Sequence, residues 1–264
     1  MNILHLFKRF RPHVMDVKAA ALTDCGLVRK ENQDAFLMRT RDRFFCVADG
    51  MGGGDGGALA SQWTCGALDE VVRPNRGGTL RERMEIAQEA LKMVNRKIRE
   101  YAYVREYRQM GTTVAFMVFD PRNDRRAAVC HAGDSRIYRF RDGRLSLLTK
   151  DHTIGGELSR IAAERVGDRA LKLNSRANPL AHVLTRAVGP ERELKLEWRR
   201  IDVRPGDGYL LCSDGVHDML TDEQIALMLG EKGTPDMVVL RLDEAIRAAG
   251  ASDNYTMVYL KVGE

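Results

Sequence analysis

Five aspartates, Asp34, Asp49, Asp134, Asp214 and Asp253, stand beside short apolar runs. Phe44-Phe-Cys-Val-Ala leads into Asp49-Gly50, and Tyr209-Leu-Leu-Cys-Ser leads into Asp214-Gly215. Ala132-Gly-Asp134-Ser-Arg136 follows a run at 127–131, and Asp253-Asn254 precedes one at 255–262. Asp34 closes Arg29-Lys-Glu-Asn-Gln-Asp34. Carboxylates at strand ends are held by a rigid scaffold and can converge at one edge of a sheet. A neighbouring glycine lets backbone come close enough for a carbonyl to join them. An all-oxygen set of this kind suits Mg²⁺ or Mn²⁺. Two such ions sharing a carboxylate activate a water and orient a phosphoryl group. One Asp-Gly alone reads as a turn; five aspartates so placed read as a metal centre.

Two other constellations compete. Cys130-His-Ala-Gly-Asp-Ser-Arg136 has the C-x₅-R spacing of phosphatases that attack with a thiolate. Asp134 would put a carboxylate inside that anion cradle. The following Ile137-Tyr-Arg-Phe reads as strand, not as the helix whose N-terminus holds phosphate. The glycine-rich run from Asp49 to Gly57 lacks the Gly-Lys-Ser/Thr ending of a P-loop, and Asp49 and Asp55 would repel phosphate without metal. The cysteines (Cys25, Cys46, Cys65, Cys130, Cys212) are odd in number, scattered and free of any CxxC pair, as expected for reduced core residues in a cytoplasmic protein. With no HxxxH pair, a structural zinc site is not expected.

Positioning the aspartates requires strands and the helices that cover them. A helix over 57–72 stops before Pro74. A second opens at the capping box Thr79-Leu-Arg-Glu82, and its Leu80, Met84, Ala87, Leu91, Val94, Ile98 and Tyr101 recur at spacings of three and four. Apolar runs at 112–119 and 127–131 read as strands, and segments 137–140 and 145–148 flank Asp142-Gly143, a hairpin turn signal. A polar stretch over 151–178, with a short helix near 156–166, is long for a connection, and connections of that length are often functional. Strands follow at 197–203, 208–212 and 255–262, and helices at 222–229 and 235–249, each with Thr at its start. Strands come in groups instead of alternating with helices, which predicts an α+β fold.

The 264 residues are 44% hydrophobic and 30% charged, enough for a sizeable core and against disorder. The net charge of +5 is interleaved along the chain, unlike the stripe or tail of a nucleic-acid binder. No apolar run is long enough for a membrane span. Residues 1–15 form a basic leader whose apolar and basic parts run opposite to a secretory signal; residues 16–264 are read as one catalytic domain, a monomer with no stable membrane insertion.

The same residues, taken in order, resemble the metal-dependent protein serine/threonine phosphatases of the protein phosphatase 2C group, in their bacterial form. The matching blocks are Gly26-Leu-Val-Arg29 with Asn32-Gln33-Asp34, and Val47-Ala-Asp49-Gly-Met-Gly-Gly53 with Gly57 and Ala60-Ser61. Gly111-Thr112-Thr113, His131-Ala-Gly-Asp134-Ser-Arg136, Leu148-Thr149 with Asp151-His152, and Leu184-Thr-Arg-Ala-Val-Gly189 follow. Gly206-Asp207 through Ser213-Asp214-Gly215, and Asp253-Asn254-Tyr-Thr256, complete the set. The resemblance implies a four-layer α-β-β-α sandwich of two antiparallel sheets. At one end a binuclear Mn²⁺ or Mg²⁺ centre would be held by Asp34, Asp49, Asp214, Asp253 and the Gly50 carbonyl. It implies a weaker third metal at Asp134 with Asp214, a phosphate clamp at Arg29, and in residues 151–178 a variable flap beside the site that would select substrates. The implied reaction is attack on phosphorus by a metal-activated water, without a phospho-enzyme. The substrates would be phosphoserine and phosphothreonine, with phosphotyrosine also open, on proteins that include a Ser/Thr kinase and its targets.

The sequence departs from the family at three places. Gln33 stands where an acidic residue is common, Gly54 where bacterial members usually carry His, and Met51 where eukaryotic relatives carry His. No loop histidine is therefore evident as general acid. A metal-bound water is the default candidate for that role; His152 is a second, against a simpler one of fixing its loop.

Overall fold

The computed structural model describes residues 15–53, 55–75, 77–166 and 180–263. Two antiparallel sheets form from strands numbered in chain order. One runs β1 (Val17–Asp24), β11 (Tyr255–Val262), β10 (Gly208–Cys212), β7 (Arg136–Arg141), β8 (Arg144–Leu147). The other runs β2 (Asp34–Arg39), β3 (Phe44–Gly52), β5 (Val114–Phe119), β6 (Arg126–Ala132), β9 (Glu197–Asp202), with β4 (Met110–Thr112) paired to the end of β3.

Burial on both faces explains why the central strands β5 and β10, and the first five residues of β3, are apolar runs instead of alternating. In β3, Phe44, Cys46 and Ala48 face a helical layer, and Phe45 and Val47 face the other sheet. In β10, Tyr209 and Leu211 point between the sheets, and Leu210 and Cys212 point out to a second helical layer. The first layer is α1 (Gly56–Val72) and α2 (Leu80–Val104); the second is α4 (Asp214–His217), α5 (Asp222–Gly230) and α6 (Pro235–Ala248). The result is the four-layer α-β-β-α sandwich expected.

Helix starts follow the cap chemistry. Thr79 accepts from the Glu82 N–H at 3.2 Å while Glu82 accepts from the Thr79 N–H at 2.7 Å; Thr221 and Gln224 repeat the reciprocal pair at α5. In α2 the six residues of the stripe from Leu80 to Ile98 are buried. The flap helix is α3 (Ile154–Val166). The flap beyond it to residue 178, and the leader except Met15, lie outside the described residues.

Three elements escape a periodicity reading. β1 and β2 carry Ala, Lys, Thr and Arg among their apolar residues, and α4 has four residues, too few to show a period. The expected strand over 112–119 is broken at Thr113 into β4 and β5. There the backbone turns to serve Asp49: the Thr113 N–H donates to the Asp49 carbonyl at 2.8 Å, and Thr113 Oγ1 accepts from the Asp49 N–H at 3.0 Å.

Candidate metal centre

Register alone brings the site residues to one end of each sheet. Asp34, first in β2, pairs directly with Asp49 on β3. Val114, the first residue of β5, pairs with Ala132 at the end of β6, two residues before Asp134. In the other sheet Asp24 pairs with Tyr255, and Cys212 with both Arg136 and Met257. That places the β1–β2 loop, Asp214 and Asp253 at a common edge. The sheets are then tied together across this end. Ser213 Oγ donates to Asp34 Oδ2 at 2.7 Å and accepts from the Thr256 N–H at 2.9 Å. The Gln33 N–H donates to Asn254 Oδ1 at 2.8 Å.

An open cleft of about 550 Å³ results, lined among others by Arg29, Asp49, Gly50, Asp214, Asp253 and Asn254. Asp34 and Asp134 are buried behind it. Gly50 is required by close approach: a Cβ there would lie 2.2 Å from the Gly57 carbonyl and 2.4 Å from that of Gln33. The glycine-rich run thus seats the start of α1 against β3, with no nucleotide loop. Arg29 Nη2 donates to Asp253 Oδ2 at 2.7 Å, and this pair holds the guanidinium pKa up. Because the pair is solvent-exposed it is worth at most about 1 kcal/mol, so Arg29 can exchange that carboxylate for a phosphate.

The electrostatics are those of a site built for cations. Burial first, then the charges of Asp34, Asp214 and Asp134, pushes Asp49 well above the usual carboxylate range. Burial raises Asp34 to about 7 against the hydrogen bonds of Ser213 and Thr256 that stabilise its charge. It also raises Asp134 to about 7, with Asp214 adding to the effect. Asp214 is itself raised by burial, and it shares a hydrogen bond with Asp49. Asp34 Oδ1 is buried without a hydrogen-bond partner, an arrangement that costs free energy unless something positive meets it. An orphaned carboxylate oxygen amid crowded carboxylates fits hard divalent cations.

Several supporting residues were not legible from the sequence. Thr113 holds Asp49 on both backbone atoms and meets Ser135 Oγ at 2.6 Å. His217, one turn after Asp214, donates from Nε2 to the Asp134 carbonyl at 3.1 Å, tying α4 to the β6–β7 loop. Asn254 Nδ2 bonds the carbonyls of Cys25 and Glu31. Polar residues next to a motif carry no periodicity, so only their hydrogen bonds reveal them.

Two sequence-level candidates are placed elsewhere. His152 is buried away from the cleft: its Nδ1 accepts from the Gly133 N–H at 3.3 Å and its Nε2 meets Glu197 at 3.3 Å. Burial lowers its pKa to about 4. It therefore fixes the loop and supplies no general acid. His131, His152 and Glu197 do bring three potential ligand atoms within 4.8 Å of one another. Yet the imidazoles stack face to face, 4.4 Å apart and 5° from parallel, so their in-plane lone pairs cannot converge on one ion. Cys130 is fully buried on the helix-facing side of β6, and burial pushes its thiol up, far from a thiolate. Arg136 is spent on Asp151, at 3.0 and 2.6 Å. Cys130→Ser is accordingly expected to keep turnover within about twofold of wild type. Its effect would be a loss of about 1–2 kcal/mol in a denaturant titration, from a buried hydroxyl. A thiolate mechanism would instead lose all activity.

The family model for Protein phosphatase 2C matches residues 28–241. The chain belongs to the protein phosphatase 2C family. Among its relatives is the serine/threonine protein phosphatase PstP of Mycobacterium tuberculosis, 34% identical over 93% of this chain and 45% of PstP. The chain thus spans about half the length of that relative. Protein phosphatase PhpP of Streptococcus pneumoniae is 28% identical over 94% of this chain and 98% of its own. Solved structures of the same fold include PppA, described as a key regulatory component of T6SS in Pseudomonas aeruginosa. It has 30% identity and a TM-score of 0.83 over 94% of this chain and 99% of PppA. The catalytic domain of PstP in complex with two manganese ions has 31% identity and a TM-score of 0.80, covering 95% of this chain and all of that one.

Proposed function

We propose that this 2C-family chain is a metal-dependent phosphatase that hydrolyses phosphoserine and phosphothreonine on proteins and so opposes a Ser/Thr kinase in cytoplasmic signalling. The observation that carries the reading is the convergence of buried, proton-hungry aspartates with an exposed arginine on one open cleft. Asp34, Asp49, Asp214, Asp253 and the Gly50 carbonyl would hold two Mn²⁺ or Mg²⁺ ions, and Asp134 with Asp214 a weaker third. Such ions supply a Lewis acid that lowers the pKa of water and neutralises phosphoryl charge. Arg29 binds and orients the phosphate from the cleft wall. Ser213 and Thr256 hold Asp34 in place, and Thr113 fixes the backbone of Asp49. No histidine lines the cleft among the described residues, so the leaving alkoxide takes its proton from solvent reaching the open site.

Five free cysteines, four of them buried, support a reducing compartment. No helix of the described residues is long and apolar enough to cross a membrane. The flap over 151–178 would act as a selector of substrates.

Purified protein with Mn²⁺ should hydrolyse para-nitrophenyl phosphate and a phosphothreonine peptide; failure on both would overturn the proposal. Arg29→Ala should lower kcat/KM by about 10- to 100-fold, the loss of a charge-assisted bond to phosphate, chiefly as a raised KM. An unchanged KM would remove Arg29 from phosphate binding.

A further inference from the structure

The loop that carries Arg29 has an apolar, exposed tip. Leu27 and Val28 keep 62% and 67% of their surface in solvent, directly before the arginine that lines the cleft. Yet the backbone beneath them is fastened at every step. The Gly26 N–H donates to Asp24 Oδ1 and the Leu27 N–H to the Ala251 carbonyl, each at 2.8 Å. Asn254 Nδ2 bonds the Cys25 carbonyl at 2.9 Å and the Glu31 carbonyl at 2.8 Å, closing both ends of the loop. Gly26, at φ +75°, sits so near Asp253 that a Cβ would lie 2.3 Å from its carbonyl oxygen. Two aliphatic side chains are thus presented to solvent by a braced backbone. Covering them removes apolar surface from water and costs little ordering entropy, because their backbone is already in place.

We propose that Leu27 and Val28 form a subsite for an apolar side chain of the phosphoprotein substrate, one or two residues from the phosphorylated one. The inference rests on the phosphatase reading. Chain geometry sets the position. Consecutive Cα atoms lie about 3.8 Å apart, so the tip begins one residue from the phosphate clamp. An extended substrate advances about 3.3 Å per residue and, with its phosphate on Arg29, crosses the tip one to two positions away. The occupant is a substrate segment because the tip directly precedes, along the chain, Arg29, Lys30 and Glu31, which line the cleft. Lys30 and Glu31 carry opposite charges side by side, which leaves apolar contact as the discriminating feature of this wall.

The test measures kcat/KM with Mn²⁺ on phosphothreonine peptides carrying one Leu at successive positions of a Gly/Ser background. Para-nitrophenyl phosphate serves as a substrate without flanking residues. Leu one or two positions away, on one side, should raise kcat/KM about five- to tenfold in the wild type, as partial burial of one aliphatic side chain allows. The double variant Leu27→Ser, Val28→Ser should lose that gain and turn over para-nitrophenyl phosphate at the wild-type rate. A Leu preference that survives in the variant overturns the subsite, as does a wild type with no preference above about twofold. Loss of para-nitrophenyl phosphate turnover in the variant also overturns it, by making the tip a mere support for Arg29. A wild type inactive on both substrates overturns the phosphatase reading instead.

Discussion

Asp49→Asn should lower turnover by about three orders of magnitude or more, equivalent to about 4 kcal/mol of barrier, and yet stabilise the metal-free protein. Both effects have one cause. Asp49 lines the cleft, is half-buried and feels Asp34, Asp214 and Asp134. Its charge is unfavourable until cations arrive, and without it they are poorly held. The amide keeps the shape, and the Thr113 bonds to the Asp49 backbone do not involve the side chain. In excess EDTA at pH 8 the variant should melt about 5 °C or more above wild type, while its far-UV circular dichroism matches. Wild-type activity in Asp49→Asn would remove Asp49 from the metal centre; a lower metal-free melting temperature would refute the repulsion argument.

Removal of divalent ions should abolish activity, and Mn²⁺ should restore it. The same treatment should expose a pH dependence of stability. Asp34 and Asp134 titrate near 7 in the folded protein, against 3.8 when exposed. Between about pH 4 and pH 7 the folded state therefore holds protons that the unfolded chain has released, and stability falls as pH rises through that window. Below it both states are protonated and the penalty vanishes; above it the penalty is complete, about 4 kcal/mol for one such group. The two groups share Asp214 as a neighbour, so their penalties do not simply add. The melting temperature of EDTA-treated protein should therefore drop between pH 5 and pH 8. Saturating Mn²⁺ should recover it at the upper end, since a cation that binds only the folded state stabilises it by mass action. Melting curves that are the same with and without Mn²⁺ at pH 8 would show that these carboxylates do not hold the ion.

Much of the site was legible before any coordinates, because its chemistry lies in residue types at strand ends. Asp49-Gly50 and Asp214-Gly215 each follow an apolar run, and each occupies the edge that such a run implies. The helical stripe of α2 and its capping box were equally plain, since a period of 3.6 and a cap three residues apart are local properties. What escaped detection is what depends on a partner distant in sequence. β1 and α4 have no periodic signature of their own. The break at Thr113 exists because of a contact 64 residues away. His152 stood as a possible acid until its ring was found against Glu197 and its partner imidazole.

The division has a physical basis. Sequence by itself determined the α+β class, the carboxylate inventory and the all-oxygen character of the ligands, since composition, periodicity and donor chemistry belong to individual residues. Only the tertiary structure decided which carboxylates are buried and how far that shifts their protons. It alone showed which oxygen is left without a donor, and that a fastened loop holds Leu27 and Val28 in solvent beside Arg29. Desolvation and repulsion arise from neighbours that two separate sheets bring together, and no local stretch of chain encodes that proximity.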